Sequence, residues 1–440
     1  MKKIFMSALM AIIMVGLVAC TQPVAGPEVK PEPKPEVRPV AAAIVQSEKL
    51  RVTSPKADEA DLVTLVDGNS AFALDLYQEL KEKDGNLFYS PYSISAALAM
   101  TYAGARGETE QQMADALNFD LPQNQLHPAF NLLDQELARR GEGAKGKDEE
   151  GFRLHVVNAI WGQKEYTFLP TFLDILAENY GAGLRILDFA NAPEESRLTI
   201  NNWVSDQTEN RIKDLIPQGM IDIFTRLVLT NAIYFNAAWQ YPFREEATKD
   251  SPFYLLDGGE VTIPMMSQTE SFGYAEGDDY QAVELPYDGR ELSMVILLPR
   301  SGHFKAFEES LNAERIGVII NALDQRQVTL AMPKFEFESA FQMKETLIAM
   351  GMPVAFSDMA DFSGMTGGRD LYISEVVHKA FVSVDEAGTE AAAATAVIMK
   401  LTAAPAEPVK FTANRPFILL IRDIKTGAIL FLGRIVNPEA

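Results

Sequence analysis

Residues 61–440 contain no stretch that invites a cut. No Pro-rich, Gly/Ser-rich or charge-run linker interrupts them. The one shift in composition, residues 141–151, is a Gly- and charge-rich insert that reads as a solvated loop. About 380 unbroken residues must close around one core, where total length alone would admit up to three domains. Helical patterns come early. Residues 69–81 carry Phe72, Leu76 and Leu80 at helical spacing, and residues 93–105 are nearly all small or apolar. Residues 109–117 and 198–212 are two more helical patterns. Strand patterns come later, at 154–161, 225–235, 293–298, 327–331, 371–384, 417–424 and 428–436. Helices first and strands last, with no regular alternation and no internal repeat, predict one α+β domain and not a doubly wound sheet.

Charge and residue counts exclude several chemistries. With 39 basic and 61 acidic side chains the net charge is −22, the wrong sign for a nucleic-acid surface, so no nucleic-acid partner is expected. One cysteine permits neither an intramolecular disulfide nor a Cys-based zinc site. Four scattered histidines (His127, His155, His303 and His378) leave little for metal binding or for a Ser-His or Cys-His nucleophile. No Gly-x-Ser-x-Gly elbow occurs, which counts against a surface hydrolase. Neither a metal nor a cofactor is expected.

The first 60 residues read as an address and a tether. Lys2 and Lys3 precede an uncharged apolar run at 4–18, too short to span a bilayer comfortably, so residues 1–19 are expected to be a signal peptide. The run ends Leu17-Val18-Ala19-Cys20, which resembles the lipobox of bacterial lipoproteins, where the chain is cut before the cysteine and the thiol is lipidated. Several acyl chains would hold the protein stably at a membrane, where one chain is marginal. Residues 20–60 follow as a spacer, with six prolines between Pro23 and Pro39 that favour extended polyproline II. Thr21 after the cysteine, in place of aspartate, points to an outer membrane or cell surface.

Several strings, in order, resemble the serpin family. They are NLFYSPYSI at 86–94, GARGET at 104–109, TNAIYF at 230–235 followed by Trp239, and ELPY at 284–287 followed by MVILLP at 294–299. MPKF at 332–335, HKA at 378–380 and DEAGTEAA at 385–392 come next, then NRPF at 414–417 and TGAILFLGR at 426–434. No single string decides the matter; together they span residues 65–438. The resemblance implies a fold of three β-sheets and about nine helices, with an exposed reactive loop near the C-terminus. It implies a monomeric inhibitor of serine or cysteine proteases and not an enzyme. By motif, Ser90, Ser93, Asn231 and His378 match the family's shutter, a polar cluster beneath the sheet where strands part. Trp239 matches the tryptophan at the top of that opening, and Lys334 is expected to pair with Glu386 there.

The loop reads EAGTEAAAATAVIMKLTAAPAEP from Glu386 to Pro408. Composition alone also admits an Ala-rich helix, with Gly388 and Thr389 as its cap. The family reading asks for a strand that inserts after cleavage, and a strand alternates its faces. Thr389, Ala391, Ala393, Thr395, Val397 and Met399 share one parity, without a charge. The other holds Glu390, Ala392, Ala394, Ala396, Ile398 and Lys400, so both charges fall outward. Residues 386–401 contain no proline to interrupt a ladder, and Gly388 is expected to give the hinge backbone freedom. The small, uncharged hinge (Glu386, Gly388, Thr389, Glu390 and Ala391 to Ala394) favours an inhibitor over a non-inhibitory binding or chaperone-type member. Family spacing puts the scissile bond between Thr402 and Ala403, with Met399, Lys400 and Leu401 as alternatives. Thr or Leu would suit an elastase-like or subtilisin-like protease, and Lys400 a trypsin-like one.

Overall fold

The computed structural model describes residues 38–142, 153–389 and 407–439. Ten α-helical segments and two sheet networks are present among them. The first network is a seven-stranded sheet. Its order is Ala43–Val45, Leu184–Leu187, Arg153–Gln163, Leu227–Ala238, Gly388–Thr389, Glu375–Val384 and Phe335–Gln342. The second is nine-stranded and is held together by the 17-residue strand Glu260–Glu276. Its first residues, 260–265, pair with Lys249–Tyr254, residues 265–274 with Asp324–Pro333, and residues 273–276 with Tyr280–Pro286. Two of the three sheets implied by the resemblance therefore share a backbone and join as one ladder.

Burial follows the sequence pattern. Every residue of Leu292–Pro299, sequence LSMVILLP, is buried, as expected of a strand covered on both faces. In the seven-stranded sheet the central strand Leu227–Ala238 alternates between two cores. Leu229, Ile233, Phe235 and Ala237 face the main core. Val228 and Ala232 face a smaller one, where Ile200 and Val204 of helix Pro193–Gln207 cover the sheet. Beneath the main-core face lies helix Pro91–Tyr102, all of it buried. Ser90 caps its N-terminus by accepting from the Ser93 N–H, and Pro91 occupies the first turn, where its missing N–H costs nothing.

Several elements differ from the sequence reading, among them the first helix and helix Gln123–Ala138. The first helix begins at Glu59, ten residues before the pattern that starts at Asn69. Asp58 and Asp61 bond each other's backbone N–H and start it, while Gly68 breaks the apolar spacing. Gly68 is there for closeness: a Cβ would lie 2.2 Å from the Asn118 carbonyl oxygen. Helix Gln123–Ala138 was not read from the sequence, because Pro128 lies inside it.

Residues 38–58 fall within the segment read as tether, yet they dock on the body as a strap. Ala43–Val45 pairs antiparallel with the sheet edge Leu184–Leu187. Lys49 reaches Asp174 at 3.1 Å and Glu178 at 2.8 Å, and Arg51 reaches Asp134 at 2.6 Å. The proline count hid this, because backbone pairing needs only three apolar residues in register and they follow the last proline of the run. Contacts with the body thus begin at Val40, inside the segment expected as tether.

Candidate functional site: an opening between two strands

The seven-stranded sheet is sealed at one end and parted at the other. Leu227–Ala238 and Glu375–Val384 run parallel and pair directly from Val228 with Glu375 to Ile233 with Ala380. Beyond that they diverge, and Gly388–Thr389 lies between them, antiparallel to both. Gly388 opposes Ala238, and Thr389 opposes both Ala237 and Val384. Gly388 is needed for close approach and not for conformational freedom. A Cβ there would sit 2.2 Å from the Ala237 carbonyl oxygen, and its φ lies outside the left-handed region.

The residues around this wedge hold it by backbone and side chain. The Asp385 carboxylate accepts from the N–H groups of Ala387 (2.9 Å) and Gly388 (3.2 Å), turning the chain. Trp239 donates its backbone N–H to the Ala387 carbonyl (2.8 Å) and its indole N–H to the Asp385 carbonyl (3.0 Å). Its ring stacks on Tyr287 at 4.7 Å, and the Tyr287 hydroxyl meets that of Thr389 at 2.8 Å. Thr389 is only 1% exposed and lies on the main-core side of the sheet. Lys334 Nζ stands 2.7 Å from the Glu386 carboxylate, which also accepts from Thr248 Oγ1 at 2.7 Å. Burial raises the Glu386 pKa, but these two bonds outweigh it and hold the carboxyl below its ordinary value.

Where the two strands still touch, a polar cluster is buried. His378 is fully buried and stacks on Phe341. Its Nε2 accepts the Ser90 N–H at 3.2 Å, so Nδ1 carries the proton and donates to Asn231 Oδ1. The Asn231 amide donates to Ser93 Oγ and to Asn158 Oδ1, and Asn158 donates back to the Ser93 carbonyl at 3.3 Å. The cluster thus ties three strands to the start of the helix beneath them. Asn158 was missed in the sequence; its signal was an amide in the middle of the apolar strand Arg153–Gln163. Thr248 was missed as well. Tyr287 sat in a quoted string, but without a role.

Burial depresses the His378 pKa from 6.5 to about 3. Stabilisation from the neutral ring is complete above pH 6.5 and is lost as pH falls toward 3. The uncleaved protein should therefore lose its native form roughly tenfold faster at pH 5 than at pH 7, followed by native gel at fixed temperature. His127, on helix Gln123–Ala138, is depressed the same way, so His378→Gln should remove part of that slope. An unchanged pH profile in that variant would rule out His378 as the sensitive group.

A family model described as Serpin (serine protease inhibitor) matches residues 67–438. The chain belongs to the serpin family. An uncharacterized serpin-like protein of Thermococcus kodakarensis is 42% identical over 377 residues, covering 85% of this chain and 86% of that protein. The leukocyte elastase inhibitor of Homo sapiens is also 42% identical, over 386 residues, covering 85% and 99%. Among solved structures, the thermophilic serpin tengpin in its native state superposes with a TM-score of 0.80 at 29% identity, covering 90% of this chain and all of that one. Uncleaved ovalbumin gives 0.75 at 28% identity, covering 85% and 100%. In this serpin Ser90, Ser93, Asn231 and His378 come together in one cluster, and Trp239, Lys334, Glu386, Gly388 and Thr389 in another. Glu390, Ala391 to Ala394, Met399, Lys400, Leu401, Thr402, Ala403 and Cys20 lie outside the described residues.

Proposed function

We propose that this serpin is a suicide-substrate trap for serine or cysteine proteases, cleaved between Thr402 and Ala403. The observation that carries this reading is the wedge Gly388–Thr389, already antiparallel to both strands of a parted sheet. Extending its register sends Ala391, Ala393 and Val397 opposite Phe235, Ile233 and Leu229, all on the main-core face. It sends Thr395 between Asn231 and His378. A hydroxyl both donates and accepts, so Thr395 can bridge the two groups whose mutual bond it parts. Proline or charge at these positions would block insertion; none occurs.

The protease supplies the catalysis. Its nucleophile attacks the Thr402 carbonyl, the Ala403 amine leaves, and an acyl-enzyme forms. The freed strand then inserts and carries the protease with it before water can cleave the ester. Leu401 and Thr402 suit an elastase-like or subtilisin-like pocket, and Lys400 a trypsin-like one. The names of the leukocyte elastase inhibitors, 42% identical, favour the first. Incubation with a panel of these proteases should give a complex that survives denaturing electrophoresis, and mass spectrometry should place the cut after Thr402. Cleavage by every member of the panel with no such complex would sink the trap in favour of a non-inhibitory binding role.

The same reading puts the inhibitor outside the cytoplasm, lipidated at Cys20 and held at an outer membrane or cell surface. Cys20→Ser should move the protein from the membrane fraction to the soluble one. Retention in the membrane would exclude the cysteine as anchor.

A further inference from the structure

We propose that a cleft in the nine-stranded network, between the ends of Lys249–Tyr254 and Leu292–Pro299, binds a small carboxylate with an aromatic body. The cleft has a volume of about 260 Å³. Three segments line it: residues 254–256, residues 299–305 leading into helix Phe304–Glu309, and Arg415 with Pro416. Arg300, Lys305 and Arg415 bring three cations to it. Among the described residues no Asp or Glu lines it, although the chain as a whole carries a net charge of −22.

Arg415 is the fixed point. Its Nε donates to the Pro299 carbonyl at 2.9 Å, and Nη1 reaches Asn414 Oδ1 only at 3.5 Å. Nη2 has no acceptor among the described residues. The side chain is partly buried, and burial holds its pKa below the ordinary value with no acid opposing the shift. A carboxylate placed there would take up the open N–H groups in the forked geometry that Arg favours. Arg300 is also held, its Nη2 donating to the Gly277 carbonyl at 3.1 Å.

The walls ask for an apolar body. Phe304 is buried, while Tyr254 and Leu256 stand 47% and 49% exposed at the mouth. Tyr254 donates its backbone N–H to the Asn414 carbonyl at 2.9 Å, which fixes this wall beside Arg415. A cavity of about 150 Å³ holds one benzene ring. The larger cleft has room for a ring with a short carboxylated chain. An adjoining cleft shares Leu256 and Lys305 but carries Asp257, Glu308 and Glu309. Those acids repel an anion from that side and direct its charged end to Arg415. An inorganic anion gains nothing from the apolar walls, and a neutral ring gains nothing from the cations.

The test titrates 3-phenylpropionate into the full chain and follows the ligand by NMR. Binding should saturate with a Kd of about 1 mM or tighter, in keeping with a ligand of about eleven non-hydrogen atoms. Arg415→Gln should weaken it at least about tenfold. Lys305→Gln, at an exposed side chain whose loss leaves the fold intact, should weaken it about threefold. 3-Phenylpropanol and inorganic phosphate should each bind at least about tenfold more weakly than the carboxylate. Equal binding of the alcohol would overturn the role of the cations, and equal binding of phosphate would overturn the aromatic body. No saturation by about 10 mM, or wild-type affinity in both variants, would overturn the site itself.

Discussion

Thr389→Arg should turn the inhibitor into a substrate. The target protease should still cut at the same bond, at a similar rate, while denaturant-resistant complex falls by at least about tenfold. The magnitude follows from where Thr389 lies. Its side chain is buried on the core side of the sheet between Ala237 and Val384, with its hydroxyl on Tyr287. A guanidinium placed there must either lose its water without a carboxylate partner, at several kcal/mol, or pull the wedge out of the sheet. Insertion competes with deacylation, and each 1.4 kcal/mol or so added to its barrier slows it about tenfold. Thr389→Ser keeps the hydroxyl and should remain an inhibitor. Densitometry of complex against cleaved product reads the partition directly, and an arginine variant that traps normally would refute insertion as the source of inhibition.

Cleaving the loop without a trapped protease should raise the unfolding temperature by about 15 °C or more. In the uncleaved sheet the two central strands pair directly over only the register from Val228 to Ile233, and the wedge adds two residues. A fully inserted strand would bond to both neighbours along its length and bury Val397, Ile398 and Met399. New hydrogen bonds at roughly 1 kcal/mol each, with the apolar burial added, give roughly 10–20 kcal/mol net of the pairing displaced. A protease that cuts the loop without being inhibited serves as the reagent, and calorimetry at a fixed scan rate gives the difference. A cleaved form that melts with the uncleaved one would mean that the loop does not enter the sheet.

The parts of this fold that the sequence made legible are those with local causes. The apolar run at 293–298 reads as a strand, and the small and apolar residues at 93–105 read as a helix. What stayed hidden depended on distant chain coming close. Gly388 read as a flexible hinge, and only the neighbouring Ala237 carbonyl shows that the position demands absence of bulk. Asn158 looked like one polar residue in an apolar strand until Asn231 and Ser93 were seen to surround it. The strap at residues 38–58 was hidden for the same reason, since its partners lie on strands and helices more than seventy residues further on. Polar residues with no local rationale were the places where long-range structure had to be consulted.

The strap also bears on how this molecule meets copies of itself. A flat sheet edge is a template on which any extended chain can add. Here Ala43–Val45 occupies one margin of the seven-stranded sheet and leaves only three residues of backbone on its outer side. The opposite margin, Phe335–Gln342, points Glu336 and Glu338 away from the core, and a like strand brought alongside would meet its own charge. Both margins are thus guarded against edge-to-edge pairing. Self-association is steered away from the periphery, toward the one seam that the protein must keep ready to open.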